Sequence, residues 1–226
     1  MYEYLIWVSL LGIIWIFAYA LNPKLRQKML WSSWIAFPFG LGELYFIPNY
    51  WMPQTLFNLG LKYSIDIEAF LLMFFLGGIA AYVYEGIFKK HLPSKQKICH
   101  PMCRCYTPFI ATLVAFIVLI KGFPQWNIIY PSSIACLAGG AFAYLIYPKL
   151  RNHIIFGGFL FAFLYWASLA IVDFIFPWIM VTWNMSALSG ITLLRVPIEE
   201  ILFGFSFGTL WTPLFEEVCS NLKGHK

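Results

Sequence analysis

The sequence predicts an all-α polytopic membrane protein with about seven transmembrane helices in a 3+1+3 parallel internal repeat. Three observations lead there. Of the 226 residues, 61% are hydrophobic and 11% charged, whereas a soluble domain runs near 45–50% apolar and about 25% charged. One small globule cannot hide that much apolar surface from water, so an ordinary soluble enzyme and a disordered chain are both excluded. Seven stretches are also long and apolar enough to span a bilayer, each close to the ~20 residues a spanning helix needs. Finally, residues of the first three stretches recur in order in the last three.

The expected spans are roughly 3–21, 29–47, 67–88, 107–122, 131–147, 154–176 and 197–218. None shows period-2 alternation, which argues against a transmembrane barrel. The first begins almost at Met1, without a basic leader or a small-x-small cleavage site, and reads as a retained helix. Turn chemistry separates the spans at Asn22-Pro23, Pro48-Asn49, Pro93-Ser94, Phe123-Pro124 and Tyr147-Pro148. The expected units are a first three-helix repeat over 1–90, a loop and linker helix over 91–130, and a second three-helix repeat over 131–226.

The basic residues predict the orientation. Lys24, Arg26, Lys28, Lys89, Lys90, Lys95, Lys97, Arg104, Lys149, Arg151, Lys223 and Lys226 fall on one side, and Lys62, Lys121 and Arg195 on the other. Short loops rich in Lys and Arg stay in the cytoplasm. The N-terminus is therefore expected outside the cell membrane and the C-terminus in the cytoplasm. The net charge of +5 is this signature, strengthened by anionic lipid. It needs no nucleic-acid partner.

The repeat is an ordered series. Pro23-Lys24-Leu25-Arg26 returns as Pro148-Lys149-Leu150-Arg151, Glu43 as Asp173, Ile67-Glu68 as Ile198-Glu199, Gly77 as Gly208 and Glu85 as Glu216. The offsets are 125, 130, 131, 131 and 131. One linker helix between two three-helix units restores parity, so both units cross the membrane in the same direction. A site is expected between them.

Only ten residues are acidic. Glu43, Asp66, Glu68, Asp173, Glu199 and Glu200 fall at the outer ends of spans 2, 3, 6 and 7. Glu85, Glu216 and Glu217 fall at the cytoplasmic ends, and Glu3 at the outer terminus. Carboxylates are costly in lipid and face a bundle interior or water. Helix N-termini also favour acids, which suits Asp66, Glu68, Glu199 and Glu200, with Pro197 at a first helical position. Glu43 and Asp173 lie late in their spans, where the helix dipole disfavours an anion, and point to a buried, paired or functional role. Only Arg195 and Lys62 are at hand as cations, which implies protonated or proton-sharing acids.

The stretch Arg195-Val196-Pro197-Ile198-Glu199-Glu200-Ile201-Leu202-Phe203 resembles the Pro-x-Glu-Glu-x-x-Phe signature of the lycopene cyclase domain. This is the integral-membrane, flavin-independent carotenoid cyclase type. Gly190-Ile191, Asp173 and the doubled three-helix plan also fit that family. The first half departs from it: in Ser64-Ile65-Asp66-Ile67-Glu68-Ala69-Phe70, Asp66 stands in place of the proline and Ala69 in place of the second acid. The resemblance implies cyclisation of a linear polyene taken from the bilayer, with no cofactor, no metal and no net redox change. Protonation of a terminal double bond gives a tertiary cation. A neighbouring double bond attacks it, and a proton is lost. A strong acid in an apolar pocket suits the first step, and aromatic faces suit the cation.

By resemblance Glu199 and Glu200 are the foremost acid/base candidates, followed by Glu68, Asp66, Glu43 and Asp173. Pro197, Phe203, Trp183 and Arg195 are expected at the substrate. Successive helix residues point about 100° apart. One of Glu199 and Glu200 should therefore face the pocket while the other pairs elsewhere, with Arg195 or a neighbouring helix.

Other constellations carry less. Cys99-His100-Pro101-Met102-Cys103-Arg104-Cys105, with His91, has metal-like content without the usual knuckle spacing. Residues 197–218 hold no lysine for an opsin Schiff base. The four histidines fall in loops or at span ends, which disfavours bis-histidine haem. No glycine-rich phosphate motif occurs. Two rival readings share the architecture: a small-solute transporter, and a non-catalytic carotenoid-binding membrane protein.

Overall fold

The structure, a computed structural model, describes residues 2–89 and 107–219, with side chains to residue 216. The Cys-rich stretch with His91, Cys99, His100, Cys103 and Cys105 lies outside the described residues. So do Lys90, Lys95, Lys97, Arg104, Lys223 and Lys226, half of the twelve basic residues expected on the cytoplasmic side.

Among the described residues the chain is all-α apart from one small hairpin. The helices are α1 (Glu3–Leu21), α2 (Arg26–Ala36), α3 (Glu43–Phe46), α4 (Leu59–Tyr63), α5 (Ile67–Phe88), α6 (Thr107–Gly122), α7 (Ile129–Ile146), α8 (Arg151–Ile175), α9 (Ile198–Trp211) and α10 (Leu214–Cys219). Helix α1 shows the membrane pattern. Tyr4, Trp7, Val8, Leu11, Trp15 and Ala18 form a buried stripe at helical spacing, while the opposite face exposes Ile13, Ile16 and Phe17. A helix apolar on every side suits lipid on its outer face.

Among the described residues, four helices are long and apolar enough to cross a membrane: Glu3–Leu21, Ile67–Phe88, Ile129–Ile146 and Pro148–Ile175. The other three expected spans differ in form. The second is α2, a 3-10 segment over Phe37–Gly42, and α3 in succession; Pro38 lacks the N–H that a continuous α-helix needs there. The last breaks at Thr212-Pro213 into α9 and α10 for the same reason. Helix α6 has 16 residues. The expected start of the sixth span also moves, because α8 begins at Arg151 and takes His153 into the helix.

The hairpin was not expected. Thr192–Leu193 (β1) pairs antiparallel with Val196–Pro197 (β2). Its two-residue turn, Leu194-Arg195, has φ of 49° and 66°, the left-handed pair that tight hairpins require.

Helix α5 packs on α1 and α2, α9 packs on α7 and α8, and α6 covers α7. Contacts of α8 with α5 and α1, and of α10 with α2, join the two groups. Gly77 and Gly208 each sit at a close approach between helices. A Cβ at Gly77 would lie 2.5 Å from Ala36 Cβ, and one at Gly208 would lie 2.9 Å from both Gly158 Cα and Phe161 Cβ. The two Pro-Lys-Leu-Arg strings both open a helix through a 3-10 turn, at Pro23–Leu25 and Pro148–Leu150.

Candidate active site

Pro197 caps α9 from the hairpin, placing Glu199 and Glu200 in the first helical turn. The rotation between them sends them apart. Glu200, 3% exposed, points into the bundle and accepts three hydrogen bonds. Tyr50 Oη donates to Oε1 (2.5 Å), Trp183 Nε1 to Oε1 (2.7 Å) and Tyr165 Oη to Oε2 (2.7 Å). All three donors are neutral. Tyr165 comes from α8, and Tyr50 and Trp183 come from the loops after α3 and α8.

Glu43 opens α3 and is buried. Trp51 Nε1 donates to its Oε2 at 3.0 Å. Trp51 and Trp183 form a backbone bridge, with ring centroids 5.1 Å apart. Tyr4 meets Trp51 edge-on at 4.6 Å, and Trp7 meets Tyr165 edge-on at 5.5 Å. Trp7, Trp51, Tyr165 and Trp183, with Phe46 and Phe203, line a cavity of about 80 Å3 that both Glu43 and Glu200 also line. Burial, followed by the Glu200 carboxyl, holds the Tyr50 phenol well above its ordinary value, so Tyr50 stays a hydrogen-bond donor.

The remaining predicted residues take other positions. Glu199 accepts from Tyr130 Oη (2.9 Å) and the Ser189 amide (2.7 Å). It ties α9 to α7 and to the loop, and its partner is not Arg195. Asp66 caps α5 by accepting from the Ala69 amide at 2.7 Å, and burial pushes its carboxyl up to about 6. Glu68 accepts from the Leu56 amide at 2.6 Å, pinning the loop before α4. Asp66 and Glu200 both act electrostatically on Glu43. Asp173 is apart, paired with Arg195 (Oδ2 to Nε, 3.3 Å) on a separate groove. Lys62 is exposed. Of the residues expected at the substrate, Phe203 and Trp183 line the cavity; Pro197 and Arg195 do not.

Tyr50, Tyr165, Trp7 and Tyr130 were not singled out in the sequence. One signal was available, since Trp51 and Trp183 are 132 residues apart, one more than the offset of the repeat series. Aromatic residues abound in the chain, and their number hides the few that hold a carboxylate.

A second polar cluster lies at the opposite end of the bundle. Lys28 Nζ is 2.6 Å from Glu216 Oε1 and 3.3 Å from Glu85 Oε1. His153 Nε2 is 3.5 Å from that same Glu85 oxygen, and its ring lies on Tyr84 at 3.9 Å. All four polar side chains are buried. Glu85, His153 and Glu216 present ligand atoms within 4.8 Å of one another. A divalent cation accepts such a donor set, and the Lys28 ammonium already supplies positive charge there.

Comparison with known proteins gives one match, a family model described as lycopene cyclase, over residues 127–218. No curated protein and no solved structure matches the chain. The matched stretch holds α7, α8, α9 and most of α10, and with them Tyr130, Tyr165, Trp183 and Glu200. Through residues 127–218, this chain is similar to the lycopene cyclase family.

Proposed function

We propose that the chain is a carotenoid cyclase that closes rings at the ends of a linear, lycopene-type polyene, an intramolecular reaction without net redox change. The observation that carries this reading is that Glu43 and Glu200 face one small aromatic cavity with no cation among the described residues that line it. In the proposed sequence the proton on Glu43 adds to the terminal double bond of the substrate. The tertiary cation that forms is attacked by the neighbouring double bond, closing the ring. Glu200, as the carboxylate, takes up the proton lost from the ring. The difference in hydrogen bonding supports this division: Glu200 receives three donors and Glu43 one. The faces of Trp51, Trp183 and Tyr165 stabilise the cation on its way. Asp66, Glu68 and Glu199 serve by holding the helix starts and loops around the cavity.

The cavity admits one end of the polyene, and the rest of the hydrocarbon lies toward the bilayer, from which it is drawn. The remainder of the plan belongs to the same proposal. Seven spans form two parallel three-helix repeats around a linker helix, the N-terminus is outside, and the carboxylate cavity is near the outer face. The close helix contacts at both Gly77 and Gly208 and the two 3-10 turns that open α2 and α8 support the repeat.

Expression in a lycopene-accumulating host tests the activity. The expected result is a change from red to yellow-orange, with ring-bearing products resolved by chromatography. Membrane-inserted, folded protein that leaves lycopene unchanged overturns the cyclase reading. Lycopene that co-purifies unchanged with that protein is the mark of a carotenoid-binding function instead.

A further inference from the structure

Asp173 and Arg195 have no part in the chemistry proposed above, yet they form a built arrangement of their own. They line a groove of about 800 Å3, ten times the volume of the carboxylate cavity and sharing no lining residue with it. One wall is the face of α8 carrying Ala170, Ile171 and Phe174; the other is the hairpin turn with Leu194. The wall is apolar and Phe174 is 87% exposed, as suits a surface that meets hydrocarbon.

At the rim the chemistry changes. The Arg195 side chain is 58% exposed and the Asp173 side chain 5%. The guanidinium is held in place from two sides: Nε faces Asp173 Oδ2 at 3.3 Å, and Nη2 donates to Pro177 O at 2.9 Å. Trp166 Nε1 donates to Leu193 O at 3.1 Å, fastening the hairpin to α8. Arg195 itself lines the groove, with its side chain more than half exposed. Asp173 Oδ1 is buried with no hydrogen-bond partner among the described residues, and a buried carboxylate oxygen without a donor is costly. The groove therefore offers a fixed cation, an adjacent oxygen that lacks a donor, and a long apolar wall.

We propose that this groove is a binding site for a zwitterionic phospholipid with a primary ammonium headgroup, of the phosphatidylethanolamine class. The phosphate meets Arg195, whose fork of donors suits phosphate oxygens. The ammonium supplies the donor that Asp173 Oδ1 lacks. One acyl chain lies along Ala170, Ile171 and Phe174. The paired charges favour a headgroup that is itself an ion pair over one with a net charge, and favour a primary amine over a quaternary one, which has no N–H to give.

Native mass spectrometry of the full chain, released from nanodiscs of equimolar phosphatidylethanolamine, phosphatidylcholine and phosphatidylglycerol, tests this. The expected result is preferential retention of phosphatidylethanolamine, lowered about tenfold in Arg195→Gln and in Asp173→Asn, as for loss of one charge-assisted hydrogen bond. Ala170→Trp, which fills the groove while leaving both charges, should lower retention as well and serves should either charge variant fail to fold. Equal retention of the three lipids, preference for phosphatidylglycerol, or unchanged retention in the folded variants overturns the proposal. The readout is independent of any cyclase activity.

Discussion

Lys28 Nζ sits 2.6 Å from Glu216 Oε1, although one residue lies in the first turn of α2 and the other in α10, almost two hundred residues later. Both are buried. Lys28, within the first turn of α2, closes a contact between the N-terminal and C-terminal helices, with Glu85 and His153 completing the cluster. Removing one partner of a buried pair leaves an uncompensated charge, which costs roughly 3–5 kcal/mol. Lys28→Met should therefore lower stability by about that amount in detergent unfolding, and Glu216→Gln added to it should cost less than the two single changes combined. Strict additivity would show that the pair is not coupled.

The two neighbouring glutamates of α9 should separate in function. Glu200→Gln should abolish cyclisation with the protein level unchanged, and Glu43→Gln should do the same. Glu199→Gln retains an acceptor for Tyr130 and the Ser189 amide and should keep most activity while costing about 1 kcal/mol of stability. Product yield beside immunoblotted protein checks all three. Full activity in Glu200→Gln would remove it from the proposed mechanism.

Tyr50 is a positioning residue. Tyr50→Phe keeps the ring and deletes one of the three donors to Glu200, a loss of ~1.5–3 kcal/mol for a hydrogen bond to a charged group. Turnover should fall about tenfold to a hundredfold, with little change in KM, because the ring still lines the cavity. A rise in KM with turnover intact would assign Tyr50 to substrate binding alone.

Asp66 provides a pH test. Burial raises its carboxyl from 3.8 to about 6, so between those values the folded chain holds a proton that the unfolded chain has released. Stability from this group is full below its unfolded value and is lost as pH rises through about 6. Asn still accepts the capping hydrogen bond from Ala69 but does not ionise. Asp66→Asn should thus gain on the parent above pH 6, by on the order of 1–3 kcal/mol, and the difference should shrink toward pH 4. Denaturation midpoints at pH 4, 5, 6 and 7 check it, and parallel curves would contradict the assignment.

Much of this was legible in the residues. Composition and apolar runs point to lipid, and the Pro197-Ile198-Glu199-Glu200 string marks the head of α9. The 100° rotation between Glu199 and Glu200 anticipates their separation but cannot say which one turns inward. That is decided by Tyr50, Tyr165 and Trp183, which lie far off in sequence and carry no periodic signal. Asp173 looks like the counterpart of Glu43 by offset, yet the left-handed turn at Leu194-Arg195 brings a guanidinium to it and draws it out of the cavity. Pro38 and Pro213 were visible, but an apolar run gives no warning that they re-pitch or break its helix. Lys28 was hidden by its company, one basic residue among many in short loops.

Tyr50 reaches from the N-terminal helices to Glu200, and Lys28 reaches from them to Glu216 at the other end of the bundle. Each fragment of a chain severed within 90–106 would lose part of its polar pairing: one would keep Lys28 with Glu85 but without Glu216, the other Glu200 with Tyr165 and Trp183 but without Tyr50. Co-expressed, the two fragments should reassemble and recover function by complementation, whereas each alone should be degraded. Recovery of function by the co-expressed pair would show that the packing of α8 on α1 and α5, and of α10 on α2, holds the two groups of helices together without a covalent link.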